Sequence, residues 1–234
     1  MEFIQNPLPP VKAVIFDFNG TLFLDNDKHV KAWSEISQKL RGKSLREEEL
    51  YAHCNGRPNH MIIRYLNGGK EDPVLEAKYS LRKEEIYRRL CQEDQANFHL
   101  IQGAPELFDV LKEKGIPFTI ASASIKENID FFVKSFDLDK WIDPSTICYD
   151  DGIYSSKKEM LQKACTILDT SPKEVTILED SLSGIQAAQA IGIEDIRLID
   201  SAHQEELGKL PHVLQVAPTM ESILKAMEQG WSEI

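Results

Sequence analysis

The hydrophobic pattern divides the chain into three regions of different character. Near the N-terminus, the apolar and largely β-branched run 11–16 ends abruptly at Asp17, which is the pattern of a buried parallel strand. From about residue 26 to 97, apolar residues recur at helical spacing and no strand pattern interrupts them. From Gly103 onward, short apolar runs alternate with amphipathic segments, so the sequence predicts strands that alternate with helices.

The boundaries of these elements follow from the apolar runs and from the residues that end helices. The first helix is predicted to bury Val30, Trp33, Ile36, Ser37 and Leu40 and to stop near Gly42. The further predicted helices cover residues 45–51, 60–66, 74–93, 104–114, 126–136, 158–168, 181–191 and 220–227. After the first strand, the predicted strands cover residues 117–121, 145–149, 174–178 and 196–199.

Alternating strands and helices predict an α/β fold with right-handed crossovers and a doubly wound parallel sheet. The helical region begins just after the first strand, so we expect it to be an inserted domain of residues 26–97. Residues 1–25 and 98–234 would form the sheet domain. Two chain crossings, near 24–28 and 97–103, would form a hinge, which makes the insert a candidate lid.

Composition and charge limit the partners and the location that we expect for this protein. The 234 residues include 38 acidic and 27 basic side chains, for a net charge of −11, so we expect no nucleic acid partner. An anionic substrate would need a local positive site. The four cysteines show no metal-ligand or disulfide spacing, the N-terminus has no signal-peptide pattern, and no run approaches about 18 apolar residues. We therefore expect a cytoplasmic protein that has no membrane segment.

Polar side chains follow several of the predicted strands at the point where each one ends, and these ends share one edge of a parallel sheet. The residues are Asp17, Asn19, Thr21, Ser122 with Ser124 nearby, Lys157 or Lys158, Glu179 and Asp180. Two carboxylates could hold Mg²⁺, while a hydroxyl and an ammonium could bind phosphate oxygens. Each residue alone has a structural explanation, such as capping a turn or a helix. Their joint occurrence predicts phosphoryl transfer through an aspartyl phosphate.

These motifs resemble the signatures of the haloacid dehalogenase superfamily. The first signature is VIFDFNGTL at 14–22, the second is FTIAS at 118–122, and the fourth is ILEDSLSGIQAA at 177–188. The third is the lysine before a crossover helix, Lys157 or Lys158. With its small helical insert, the chain looks most like phosphatases of the beta-phosphoglucomutase type. The resemblance implies a Rossmann-like core with a helical cap, and a hydrolase that needs Mg²⁺.

The resemblance also implies roles for the matching residues. Asp17 would be the nucleophile and a metal ligand, and the backbone carbonyl of Asn19 would be a further ligand. Asp180 would complete the metal set, with Glu179 beside it. The resemblance places these residues at the substrate: Thr21, His29, Arg57, Asn59, Ser122, Ala123 and Lys157. For Arg57 a surface position is an equal alternative.

Asn19 departs from the family pattern. In phosphatases of this kind the residue two positions after the nucleophile is an acid that protonates the leaving group and then activates water. Loss of a positioned acid/base costs about 10²–10⁴ in rate. Three explanations follow: a slow phosphatase for substrates with good leaving groups, a replacement acid such as His29, or an introduced substitution that traps a complex. Phosphonatase and dehalogenase chemistry fit poorly, because the 56–60 loop has no lysine and residue 19 is not tyrosine.

The sequence therefore predicts a phosphohydrolase that acts on a small phosphorylated metabolite, with a sugar phosphate as the substrate class that the resemblance implies. A phosphomutase is the alternative enzyme, although Asn19 denies it acid/base help. A non-catalytic phosphate-binding regulatory protein is the alternative outside enzymes. The intact remaining signatures count against that interpretation. We expect a monomer.

Overall fold

The computed structural model describes residues 2–5, 7–46, 49–50, 53–54, 58–151, 156–200 and 205–232. The chain folds into two compact units. The first consists of Met1–Leu24 and His99–Ile234, and the second of Asp25–Phe98. We call them the sheet unit and the helical unit.

The sheet unit contains one seven-stranded sheet in the order β1-β7-β6-β5-β2-β3-β4. The strands are β1 (Phe3–Ile4), β2 (Ala13–Phe16), β3 (Phe118–Ile125), β4 (Cys148–Asp150), β5 (Val175–Glu179), β6 (Asp195–Ile199) and β7 (Val213–Ala217). Neighbouring strands are parallel except for β1, which pairs with β7 in the antiparallel direction. The predicted doubly wound α/β fold is confirmed, with an antiparallel edge strand that the pattern did not predict.

The helices fall close to their predicted positions. They are α1 (Asn26–Arg41), α2 (Asn59–Leu66), α3 (Pro73–Glu93), α4 (Ala104–Glu113), α5 (Lys126–Ser135), α6 (Lys157–Ile167), α7 (Leu182–Ile191) and α8 (Met220–Ser232). Gly42 ends α1, as expected, and Gly192 ends α7; these glycines adopt left-handed φ values of 72° and 90°. No helix among the described residues is long and apolar enough to cross a membrane.

The centre of the sheet is buried on both faces. Every residue of β2, β5 and β6 is buried, and burial on both faces explains why β2 appears in the sequence as a continuous apolar run. Phe16 packs edge-on against Phe108 of α4, with 5.1 Å between the ring centroids. The rigid centre of the sheet therefore fixes the positions at which β2 and β5 end.

Two predicted elements differ from the structure in the sheet unit. The strand predicted at 145–149 is β4, and it starts later because Pro144–Thr146 form a 3₁₀ turn. The Asp143 side chain caps that turn by accepting the Ser145 N–H at 2.9 Å. The strand predicted at 117–121 is β3, which continues to Ile125. Ser122 therefore lies within β3, where it pairs with Tyr149 of β4, and not after the end of the strand as predicted.

The helical unit contains only helices among its described residues, as predicted. Helix α1 packs against α3, but the predicted buried face is wrong at Val30, which is 41% exposed. Lys28 is buried instead, because its ammonium pairs with Asp27 at 2.9 Å and Asp94 at 2.6 Å. The helix predicted at 45–51 lies partly outside the described residues.

Candidate active site

A tight turn holds Asp17 at the carboxyl end of β2. The Phe18 carbonyl accepts hydrogen bonds from the N–H groups of Thr21, Leu22 and Phe23 at 2.8–3.2 Å. Gly20 has a φ of +79°, and a Cβ there would lie 2.1 Å from Asp180 Oδ2. Only glycine fits this position, so the turn brings the loop after β2 into close contact with Asp180.

Glu179 and Asp180 occupy the end of the neighbouring strand β5. Glu179 is fully buried, and its Oε2 accepts the Asp180 N–H at 2.9 Å, the Ser181 N–H at 3.0 Å and the Ser181 hydroxyl at 3.0 Å. Ser181 in turn caps α7 by accepting the Gly184 N–H at 3.1 Å. A Cβ on Gly184 would lie 1.8 Å from Glu179 Oε1. Glu179 is therefore fixed in one orientation at the start of this helix.

Lys157, the first residue of α6, joins the two strand ends. Its ammonium donates to Asp17 Oδ1 at 2.6 Å and also to Glu179 Oε1. The side chain is 15% exposed, compared with 8% for Asp17. Lys158 is exposed, so of the two lysines in the motif, Lys157 is the one that reaches the strand ends.

Burial dominates the electrostatics of this cluster. It raises the pKa of Asp17 to about 7, with the Lys157 charge opposing the rise and the Glu179 charge adding to it. Burial alone would lower the pKa of Lys157, but the charges of Asp17 and Glu179 outweigh that effect and raise it. The Lys157 ammonium therefore stays charged, and the pKa of Asp17 lies near neutral pH.

The carboxylates fit a divalent cation. Oxygen atoms of Asp17, Glu179 and Asp180 lie within 4.8 Å of one another, and the Thr21 hydroxyl lies 3.3 Å from Asp17 Oδ2 and 3.5 Å from Asp180 Oδ1. Three carboxylates and one ammonium leave an excess of two negative charges. Oxygen donors with that excess suit a hard cation such as Mg²⁺.

Asn19 lies between this cluster and the end of β3. Its Oδ1 accepts the Ser124 hydroxyl at 2.6 Å and the Ser122 hydroxyl at 3.3 Å. The Ser124 N–H donates to Ser122 Oγ at 3.2 Å. The sequence places Ser124 near Ser122, but we assigned it no role in the site. The available signal was the Ser-Ala-Ser alternation, which places both hydroxyls on one face of a strand, whereas Ala123 is exposed on the other.

Two of the predicted site residues of the helical unit, His29 and Asn59, make polar contacts within that unit. His29 Nε2 lies 3.3 Å from Asp25 Oδ2, and His29 Nδ1 lies 2.9 Å from the buried Lys83 ammonium. The Asn59 amide donates to Glu84 Oε1 at 2.8 Å. Arg57 lies outside the described residues. The substrate-binding roles of these three residues stay predictions.

The structure thus combines a doubly wound α/β sheet with three carboxylates and a lysine that meet at its strand ends. The chain belongs to the haloacid dehalogenase-like hydrolase family, whose sequence model matches residues 14–198. The expected superfamily and the expected enzyme class are thereby confirmed.

Known proteins similar to this chain include phosphatases. It is 28% identical over 179 residues to the chloroplastic 5-amino-6-(5-phospho-D-ribitylamino)uracil phosphatase of Arabidopsis thaliana, and the match covers 75% of this chain but 46% of that protein. It is 27% identical to a phosphorylated carbohydrates phosphatase of Thermotoga maritima, covering 80% and 84% of the two chains. A solved family IA, variant 3 hydrolase of Entamoeba histolytica superposes with a TM-score of 0.86 at 30% identity, covering 94% of this chain and 99% of the other.

Proposed function

We propose that this protein is a Mg²⁺-dependent phosphohydrolase of a small phosphorylated metabolite, and that it works through an aspartyl phosphate at Asp17. The proposal rests on the position of the Asp17 carboxylate. Lys157 donates hydrogen bonds to both Asp17 and Glu179, and the Thr21 hydroxyl contacts both Asp17 and Asp180. One carboxylate oxygen in such a setting can attack phosphorus while nearby groups neutralise the phosphoryl charge.

We assign a role to each site residue of the sheet unit. Asp17 forms the bond to phosphorus, while Lys157 and Ser122 bind the oxygens of the transferred group. Thr21 orients the two carboxylates that it contacts, and Glu179 holds Lys157 in place. Asp17, Asp180 and the backbone carbonyl of residue 19 would hold Mg²⁺, which supplies further charge neutralisation when bound.

A sugar phosphate is the first substrate class to test, because the two phosphatases similar to this chain are named for a phosphorylated ribityl compound and for phosphorylated carbohydrates. We further propose a cytoplasmic monomer. All four cysteines are free and buried, as expected of a protein kept in a reducing compartment.

The test is phosphate release from a panel of sugar phosphates, p-nitrophenyl phosphate and acetyl phosphate, in Mg²⁺ and in EDTA. We expect release that needs Mg²⁺ and that Asp17→Asn abolishes. Lys158→Met is the matched control for a change of charge beside the site, and it should retain activity. Release that persists at the same rate in Asp17→Asn would contradict the proposal.

A further inference from the structure

The orientation of the Asn19 amide is fixed by two hydroxyl groups. Both Ser122 and Ser124 donate to the same oxygen, Oδ1, at 3.3 Å and 2.6 Å. Ser122 is itself held, because it accepts the Ser124 N–H and is 1% exposed. The amide oxygen of Asn19 therefore faces β3, and the side chain at this position is an amide that carries no acidic proton.

A positioned amide and a positioned carboxyl support different chemistry. Both can hydrogen-bond to a substrate oxygen, but an amide cannot deliver a proton to a departing group or take one from attacking water. A poor leaving group such as a sugar alkoxide needs that proton. A carboxylate or a phosphate can depart as a stable anion without one.

We infer that Asn19 selects substrates whose phosphoryl group is bound to an acidic leaving group, as in acyl phosphates and phosphoanhydrides. This inference rests on the proposed phosphohydrolase function, and it ranks acyl phosphates and phosphoanhydrides above the sugar phosphate esters that the similar phosphatases suggest. In the first step the Asp17 oxygen bonds to phosphorus, the bond from phosphorus to the leaving oxygen breaks, and the leaving group keeps that electron pair. No proton transfer is required.

The second step is slow for the same reason. Water attacks phosphorus, the bond from phosphorus to the Asp17 oxygen breaks, and Asp17 regains its carboxylate. The proton released by water must pass to bulk solvent, because Asn19 cannot accept it. When the leaving group is acidic, the first step is faster than the second. The aspartyl phosphate therefore accumulates during turnover.

The experiment compares kcat/KM for an alkyl phosphate, a series of aryl phosphates and acetyl phosphate in the native protein and in Asn19→Asp. We expect the native rates to depend more steeply on the pKa of the leaving group. Asn19→Asp should raise turnover of the alkyl ester about 10²–10⁴-fold, and should raise formation of the phosphoenzyme from acetyl phosphate much less. Rapid mixing with p-nitrophenyl phosphate should give a burst of about one equivalent of nitrophenol in the native protein.

Asn19→Ala is the matched control, because it also lacks an acid. It should keep the steep dependence on the leaving group, which separates the missing proton from the added charge of Asn19→Asp. Its rates also provide the test if Asn19→Asp does not fold. The inference would be overturned if the rates of the native protein and Asn19→Asp depended equally on the pKa of the leaving group. It would also be overturned if Asn19→Ala made that dependence steeper than in the native protein, or if the burst were missing.

The two proposals fail in different ways. If neither the native protein nor Asn19→Asp releases phosphate or forms a phosphoenzyme with any member of the panel, the phosphohydrolase function itself is wrong. If the native protein hydrolyses the alkyl ester as fast as Asn19→Asp, the function stands and the inference is wrong. His29→Gln would then test whether His29 supplies the proton.

Discussion

Replacing Lys157 with methionine should sharply destabilise the metal-free protein. The ammonium lies between Asp17 and Glu179 and donates to both carboxylates. The side chains of Asp17 and Glu179 are 8% and 0% exposed, so water cannot take over the role of the ammonium. Methionine fills a similar volume without the charge, and it leaves two buried carboxylates side by side.

The expected magnitude follows from this burial. Removal of one partner from a buried ion pair costs about 3–5 kcal/mol, a large part of the roughly 5–15 kcal/mol that stabilises a typical protein. For a chain of this length the melting temperature should fall by roughly 6–20 °C. The loss should shrink as the pH falls from 8 to 5, because the folded variant can protonate a carboxyl that the unfolded chain keeps ionised.

The assay is urea denaturation at pH 8 and pH 5, in EDTA and in Mg²⁺. Lys158→Met is the control, because it removes the same charge from the next residue, which is exposed. It should change the free energy of unfolding by less than about 0.5 kcal/mol. Mg²⁺ should restore part of the stability lost in Lys157→Met, because a cation bound by the folded state stabilises it. Equal losses in the two variants would refute the role given to Lys157.

Three further predictions concern protonation, packing and thiol reactivity. Because burial raises the pKa of Asp17 to about 7, the metal-free protein should become more stable as the pH falls from 8 to 5. Calorimetry should show that Mg²⁺ binding weakens over the same range, and pH-independent binding would contradict this prediction. Gly184→Ala should lower both the melting temperature and phosphate release, since its Cβ would lie 1.8 Å from Glu179 Oε1; unchanged values would show that Glu179 can move freely. Burial raises the pKa of Cys91 to about 12 and that of Cys148 to about 11, so Ellman's reagent should titrate these thiols slowly until urea is added, and rapid reaction of the folded protein would argue against their burial.

Much of the sheet unit could be predicted because its central strands are buried on both faces. Strand β2 appears as an uninterrupted apolar run, and the position of Asp17 follows from the end of that run. The choice between Lys157 and Lys158 could not be made from the sequence. It depends on where α6 begins, since the first residue of that helix reaches Asp17 and the next one is exposed.

Two strands gave no usable signal. Strand β1 has two residues, both of them exposed, so neither periodicity nor burial marks it. Strand β7 includes a buried glutamine, Gln215, whose amide donates to the Ser222 carbonyl at 3.2 Å. That polar residue interrupts the apolar run in the sequence. The burial of Lys28 could not be predicted either, because it depends on an ion pair with Asp94, which is distant in the sequence.

The surroundings of Asn19 argue that the site is in use. Three carboxylates packed within 4.8 Å cost stability when no cation is bound, and Gly20 and Gly184 leave room for two of these carboxylates. Mutations that remove such strained, charged arrangements commonly stabilise a protein when function no longer requires them. The chain keeps all of these features, although Asn19 beside them cannot transfer a proton. We therefore favour a change in the phosphoryl groups that the site accepts over a loss of phosphoryl transfer.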